Sequence, residues 1–238
     1  MVANYDKLQQ DILDTDILLP YAHVLATLRE VSTPIDSSKP VNNYAEYASP
    51  LGFFKGKGVN SILTEEFIEE LYREMRSRRL ADIPMIEICA GRGKLSYQLR
   101  KHGIDIVATD NYSQKMDRDE SLVERVESHR EALEKYTPRL VVASWIPRNP
   151  ELGDDVLHFP TVDYFIDIGE RRSGSTWLTL DYSNEDFSIK YLNSVAKYFI
   201  GTNDFFEVTR SGKVGFVKHS QVRLWKRKGA PMSINHTI

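Results

Sequence analysis

Cysteine is almost missing from these 238 residues. Cys89 has no second thiol with which to form an internal disulfide, and inside an apolar run it behaves as a small core residue, as suits a reducing compartment. No uninterrupted apolar stretch reaches the roughly 20 residues of a membrane helix. The N-terminus carries Asp6, Asp11, Asp14 and Asp16 instead of a basic segment followed by an apolar one, so no secretory signal is expected. These features lead to the expectation of a cytoplasmic protein with no membrane partner. His23, His102, His129, His158, His219 and His236 fall in no metal-ligand spacing, which argues against a metal site. There is no internal repeat, no phosphate loop ending in Lys-Ser or Lys-Thr and no nucleophile elbow. A formal charge of −3 supplies no global field for drawing nucleic acid or an acidic membrane.

What is present is ordinary in bulk and informative in order. Hydrophobic residues at 41% and charged residues at 27% describe a folded chain, long enough for one core with an appended subdomain. Tyr5, Leu8 and Ile12, then Val24, Leu25 and Leu28, suit two short helices interrupted at Pro20. From Ser32 to Asn60 prolines and glycines alternate with Tyr44, Tyr47, Phe53 and Phe54. So long a loop either covers a ligand as a lid or lies on the surface pinned by its aromatics. Thr64 is placed to cap a helix with Glu65 and Glu66 in its first turn, Arg76, Arg78 and Arg79 in its last, and a stripe of Phe67, Ile68, Leu71, Tyr72 and Met75.

Beyond it, short apolar runs alternate with helical segments, the pattern of parallel strands joined by crossover helices. Strands are expected at Ile83 to Cys89, Ile104 to Thr109, Leu140 to Ser144 and Val162 to Ile168, with a weaker one near Leu122 to Val126. A helix is expected after Asn184, with Ile189, Leu192, Ala196 and Phe199 on one face and Gly201 as its stop. Phe205 to Arg210 and Lys213 to Trp225 flank Ser211-Gly212 as an antiparallel hairpin.

The chemistry gathers at the first of these strands. Pro84-Met85-Ile86-Glu87-Ile88-Cys89 runs into Ala90-Gly91-Arg92-Gly93, then into a helix from Lys94 to His102. Glycines let the backbone approach a ligand, and the helix start adds unpaired N–H groups. One strand later Asp110 arrives about 20 residues beyond the turn, where a carboxylate accepts from both ribose hydroxyls. A dinucleotide motif wants a third glycine where Ser96 stands, and Glu87 beside the turn would oppose a pyrophosphate but suits an amino-acid ammonium.

From Ile83 to Trp225 the chain resembles the class I S-adenosylmethionine-dependent methyltransferases, in which an acid precedes a Gly-x-Gly turn and a second acid ends the next strand. The resemblance implies a Rossmann-like α/β domain over 81–238. Its seven-stranded, mostly parallel sheet would carry helices on both faces and end antiparallel, behind an N-terminal helical cap and lid-like loop over 1–80. It also implies S-adenosyl-L-methionine as cofactor, with Glu87 toward the ammonium, Ala90, Gly91 and Gly93 along the methionine portion, Asp110 on the ribose, and Asn111 and Tyr112 near the adenine. Cys89 departs from the fuller motif, which often has glycine there.

The end of the fourth strand, Ser144-Trp145-Ile146-Pro147, is similar in position to the Asp/Asn-Pro-Pro-aromatic signature of amino-directed members, but Ser144 replaces the Asp or Asn. Trp145 is either a stacking surface or packing. Glu170 is a candidate for orienting an acceptor hydroxyl or amine, beside Arg171 and Arg172 in a polar loop running to Trp177, and His158 is the histidine to test first as a base. A small-molecule acceptor is favoured. Nucleic acid is second, resting on Trp145 and on the clusters Arg76, Arg78, Arg79 and Arg223, Lys226, Arg227, Lys228, which are otherwise solvated faces. A cofactor-binding interaction module without transfer activity and an NAD-dependent oxidoreductase are the competing functions.

Overall fold

The computed structural model describes residues 2–32, 35–36, 61–114, 116, 119–146, 150–170, 185–201, 204–209 and 211–230. The lid expected between Tyr44 and Gly58, Pro147, and the polar loop Arg171 to Trp177 lie outside them.

Two helices open the chain, α1 (Val2–Leu13) and α2 (Tyr21–Val31), with Pro20 at the N-cap of the second, where its missing N–H costs nothing. Short strands β1 (Ile35–Asp36) and β2 (Ser61–Ile62) follow. The helix α3 (Glu65–Ser77) starts as its residues dictate, with the Thr64 hydroxyl accepting from the Phe67 N–H at 3.2 Å. Phe67, Ile68, Leu71 and Met75 are fully buried, and side chains of this size stabilise by about 1.5–3 kcal/mol each when buried. Then come β3 (Met85–Ile88), α4 (Lys94–Lys101), β4 (Val107–Asp110), β5 (Glu124–Arg125), α5 (His129–Tyr136), β6 (Leu140–Ser144), α6 (Pro150–His158) and β7 (Tyr164–Glu170).

The main sheet has seven strands in the order β5-β4-β3-β6-β7-β12-β8, the last two being β12 (Ser220–Arg227) and β8 (Phe187–Tyr191). Its first five strands pair in parallel, while β12 is antiparallel to both neighbours. One face carries α3 and α4 over Ile166, Ile168, Val142 and Leu224, and the other carries α5 and α6 over Ile86, Val141, Phe165 and Trp225. Burial on both faces explains why the central strands are nearly continuous apolar runs. This is the mostly parallel, seven-stranded α/β architecture anticipated above.

Two elements differ from expectation. Residues 187–191 form the edge strand β8, not a helix. The 3–4 spacing of Ile189, Leu192, Ala196 and Phe199 reflects a strand leading into the single turn α7 (Asn193–Ala196), and Ile189 is 40% exposed. The C-terminal hairpin is real but divided at Lys218-His219. β10 (Phe205–Val208) pairs with both β11 (Val214–Val217) and β1 in a separate small sheet, and only the continuation β12 enters the main one.

The small sheet belongs to the cap. Leu8, Ile12, Val24 and Leu28 pack with Ile62, with Ile200 of β9 (Ile200–Gly201) and with Phe206, so the cap core is closed by residues from both ends of the chain. Asp204 ties it to the main sheet. Fully buried, it accepts from Gly201 N–H at 2.8 Å, His219 N–H at 2.6 Å, Ser220 N–H at 3.0 Å and the Ser220 hydroxyl at 2.7 Å. Asp204→Ala leaves four donors without that acceptor, and urea unfolding is expected to register a loss of about 3 kcal/mol or more. A loss below about 1 kcal/mol would refute this role.

Candidate functional site

The turn between β3 and α4 is built from left-handed backbone. Cys89, Gly91 and Gly93 have φ of 54°, 57° and 74°. The two glycines serve different ends. A Cβ on Gly91 would meet nothing closer than the Met116 Sδ at 3.6 Å, so the backbone angle is what favours glycine there. A Cβ on Gly93, the N-cap of α4, would lie 2.5 Å from Val123 Cγ2, so that glycine is required by packing against the approach to β5. Cys89 occupies a conformation that costs a non-glycine residue about 1–2 kcal/mol. Its thiol is pushed up to about 12 by burial, and then by Asp110 and Glu87, which leaves it protonated and unreactive.

Both expected acids stand at this turn. Asp110 ends β4, its Oδ2 accepting from Gly91 N–H at 2.9 Å and its Oδ1 from Tyr112 N–H at 2.7 Å. A carboxylate oxygen accepts more than one hydrogen bond, so these contacts are compatible with further donors. Glu87 is 2% exposed, and its Oε2 accepts from the Ser96 N–H at 3.0 Å and from the Ser96 hydroxyl. Burial raises its pKa to about 7, against the lowering effect of the two Ser96 bonds and of Arg100. Ser96, the residue that breaks the dinucleotide pattern, is thus the partner of this acid.

A cavity of about 320 Å³ opens at the carboxyl ends of β3, β4 and β6. Glu87, Ala90, Gly91, Asp110, Asn111, Ser144 and Trp145 all line it. Gly93, Tyr112, Glu170 and His158 do not. Tyr112 turns away to donate its hydroxyl to the Val123 carbonyl at 2.6 Å. Glu170 is 1% exposed at the end of β7, beside β12. His158 is exposed at the C-terminus of α6, with Nδ1 2.8 Å from the Asp154 carbonyl oxygen. Trp145 has φ 57°, donates its backbone N–H to the Ile168 carbonyl at 2.8 Å, and keeps its indole Nε1 buried without a partner. Gly201 makes room for that ring, since a Cβ there would be 3.0 Å from Trp145 Cζ2.

Ile12, Ser61, Ile62 and Leu63 bring the cap to the same cavity, and Val126, Ser128, His129 and Leu152 line it as well. His129 and the cap residues carry no local sequence signal, because each arrives through tertiary packing. The end of α1 sits on α4. Lys94 Nζ donates to the carbonyls of Ile12 at 3.0 Å and Asp14 at 2.6 Å, Arg92 to Leu13 O at 3.0 Å, and Gln98 Nε2 to Thr15 O at 2.7 Å. Burial lowers Lys94 to about 8, offset in part by Asp14. Much of both basic clusters is engaged locally. Arg78 pairs with Glu74, Arg76 with Asp82 and Arg223 with Asp167, while Arg227 donates to the Val162, Leu157 and Phe159 carbonyls.

No protein-family model matches the chain, and no curated protein matches it in sequence. Among solved structures it is similar to the methyltransferase domain of bacterial CtHen1-CN, at 9% identity over 67% of this chain and 99% of that one, with a TM-score of 0.40. It is also similar to a dimethyladenosine transferase from Plasmodium falciparum, at 13% identity over 72% and 64% of the two chains and a TM-score of 0.38. The CcbJ methyltransferase from Streptomyces caelestis gives 9%, 68%, 89% and 0.34 in the same order. Likenesses this distant carry no information about the side chains lining the cavity.

Two predictions arise from the turn. Because Glu87 holds its proton more tightly folded, at about 7, than at its ordinary 4.5, its contribution to stability is complete below 4.5 and lost as pH rises through 7. Glu87→Gln is therefore expected to remove that decline, raising stability at pH 8 relative to the parent by up to about 3 kcal/mol, read as melting temperature against pH. Parallel curves for the two proteins would contradict the assignment. Gly93→Ala is expected to cost about 2 kcal/mol or more from the Val123 clash and the positive φ, and restoring part of that loss with Val123→Ala would separate the two causes.

Proposed function

We propose that the chain is an S-adenosyl-L-methionine-dependent methyltransferase acting on a small-molecule acceptor. One observation carries the reading. The carboxylate that ends β4 accepts from the Gly91 N–H, so one acid, a glycine turn and a second acid border a single cavity. Its volume falls at the lower end of the range for small-ligand sites. The cofactor supplies a methyl group already activated by a positive sulfonium. The chain's task is then to hold cofactor and acceptor in line and to exclude water.

Asp110 would accept from the ribose hydroxyls, and the turn at Ala90 and Gly91 would carry the methionine backbone. Glu87 would compensate an ammonium, in its ionised form. Ser144 and Trp145, at the end of β6, would face the acceptor, with the cap residues Ile12 and Leu63 shielding it. An acid buried beside the turn disfavours the pyrophosphate of a nicotinamide cofactor. A wall shared with the cap favours a compact acceptor over a nucleic acid strand.

S-adenosylhomocysteine at about a hundred times its dissociation constant is expected to stabilise the protein by about 2.7 kcal/mol, read as a thermal shift, with NAD giving none. Asp110→Asn, checked for intact folding by circular dichroism, is expected to weaken that binding about tenfold or more. Stabilisation by NAD alone would replace this reading with the oxidoreductase, and binding without methyl transfer to any acceptor would favour an interaction module.

A further inference from the structure

The main sheet ends on one side in an open strand. Among the described strands β8 pairs with β12 alone, and Ser188, Ile189, Lys190 and Tyr191 are exposed on its two faces. Its hydrogen bonds fix which main-chain groups look outward. Leu192 N–H donates to the Val222 carbonyl at 2.9 Å and Lys228 N–H to the Asp186 carbonyl at 2.7 Å, so the even-numbered residues face β12. The N–H and C=O groups of Phe187, Ile189 and Tyr191 therefore point away from the sheet. Native edges are commonly blunted by proline, by a bulge or by a covering element. β8 holds no proline, and its register with β12 runs unbroken from Phe187 to Tyr191. Ile189 and Tyr191, 40% and 55% exposed, stand on the face that carries Trp225 and Arg223, so apolar surface lies beside the outward groups.

The charges along the strand indicate what fits this edge. A two-fold axis between Ser188 and its counterpart sets a second β8 antiparallel to the first, with Phe187 of each copy opposite Ile189 of the other. Both residues face outward, so each such pair exchanges its two N–H···O bonds. In the same register Asp186 of each copy stands opposite Lys190 of the other, at positions where side chains approach most closely. Moving the axis to Ile189 puts Lys190 opposite Ser188, and moving it to Lys190 puts two ammonium groups together. Charge thus selects the first register, in which Ile189 also packs on Phe187 of the second copy. We propose that β8 pairs with β8 of a second copy of this chain, joining two seven-stranded sheets into one across a two-fold axis. β7 and β12 lie between this edge and the strands that border the cavity, so the inference stands independently of the methyltransferase reading.

Sedimentation equilibrium of the full chain is expected to show monomer and dimer with a dissociation constant on the order of 1–100 µM, weak because the ladder is short. A parent protein that stays monomeric up to about 1 mM overturns the proposal. Lys190→Glu meets Asp186 of the second copy with a like charge, and Asp186→Lys does the same to Lys190. Each variant alone is expected to dimerise about tenfold more weakly. Mixed together, the two restore both opposite-charge contacts, and a heterodimer of roughly parental affinity is expected. Loosening of β8 within one chain would weaken each variant without letting them complement each other, so failure to form the heterodimer overturns the proposal. Ile189→Pro removes an outward N–H and leaves the bonds to β12 in place. It is expected to abolish the dimer while circular dichroism reports an unchanged fold. A dimer of undiminished affinity in Lys190→Glu or in folded Ile189→Pro belongs to another surface and also overturns the proposal.

Discussion

The hydrogen bond from Gly91 N–H to Asp110 is the constraint on which the site depends. A turn with left-handed residues at 89, 91 and 93 gains little from its own side chains, and its conformational cost must be met by neighbours. β3 and β4 supply this. The Ala90 N–H donates to the Thr109 carbonyl at 3.0 Å, the Thr109 hydroxyl donates to the Glu87 carbonyl at 2.9 Å, and Asp110 holds Gly91. The same bonds set where α4 begins and thus where its free N–H groups point. Cavity floor, helix start and strand pairing are one object, which is why Cys89 can be held where glycine would be easier.

Burial sets the protonation of one of the two acids at that turn, Glu87. Glu87 sits one strand inward, almost fully buried at the cavity's edge, and the hydroxyl and N–H of Ser96 do not fully offset its desolvation. Asp110 sits at the strand's open end, where backbone N–H groups meet each of its oxygens. An acid near neutrality under a cavity is costly to ionise when the cavity is empty and is favoured as an anion once a cation enters. The arrangement thus couples charge in the cavity to the occupant's charge. Arg100, whose charge lowers Glu87, donates its own hydrogen bonds to the Ile106 and Leu122 carbonyls.

How far the chain could be interpreted from residues alone follows from the range of the interactions involved. The strands β3, β4, β6 and β7 announce themselves because burial on both faces leaves apolar runs, and α3 because Thr64 caps it and its charges follow the helix dipole. β8 was hidden because an edge strand exposed along most of its length has no burial pattern of its own, while Leu192 and Phe199 beyond it mimic a helical stripe. The break at Lys218-His219 depends on Asp204, which takes the His219 N–H and so turns the chain from the small sheet into the large one. In the site, the glycines and acids were legible as a local motif. His129 reaches the cavity only through tertiary packing, held by Asp155, 26 residues away on another helix, while His158 is exposed at the end of α6 and does not line the cavity.

The cap is often the part of such a chain treated as an appendage, but here its energetics cannot be separated from the turn. Arg92 and Lys94 flank Gly93, two cations at a helix start where the dipole disfavours them. They are stabilised there by the carbonyls at the end of α1, groups whose own dipole favours cations. Asp16 extends the contact, accepting from the Tyr97 hydroxyl at 2.9 Å and from Lys101 at 2.9 Å. The carbonyls of Ile12, Leu13 and Asp14 therefore order the same segment whose neighbouring side chain, Ile12, lines the cavity. Any ligand that contacts both the turn and Ile12 interacts differently with docked and undocked caps. By linkage it must favour docking by the amount that docking favours it. Coupling of this kind requires no moving lid, only that one wall of the cavity be held by bonds to the other.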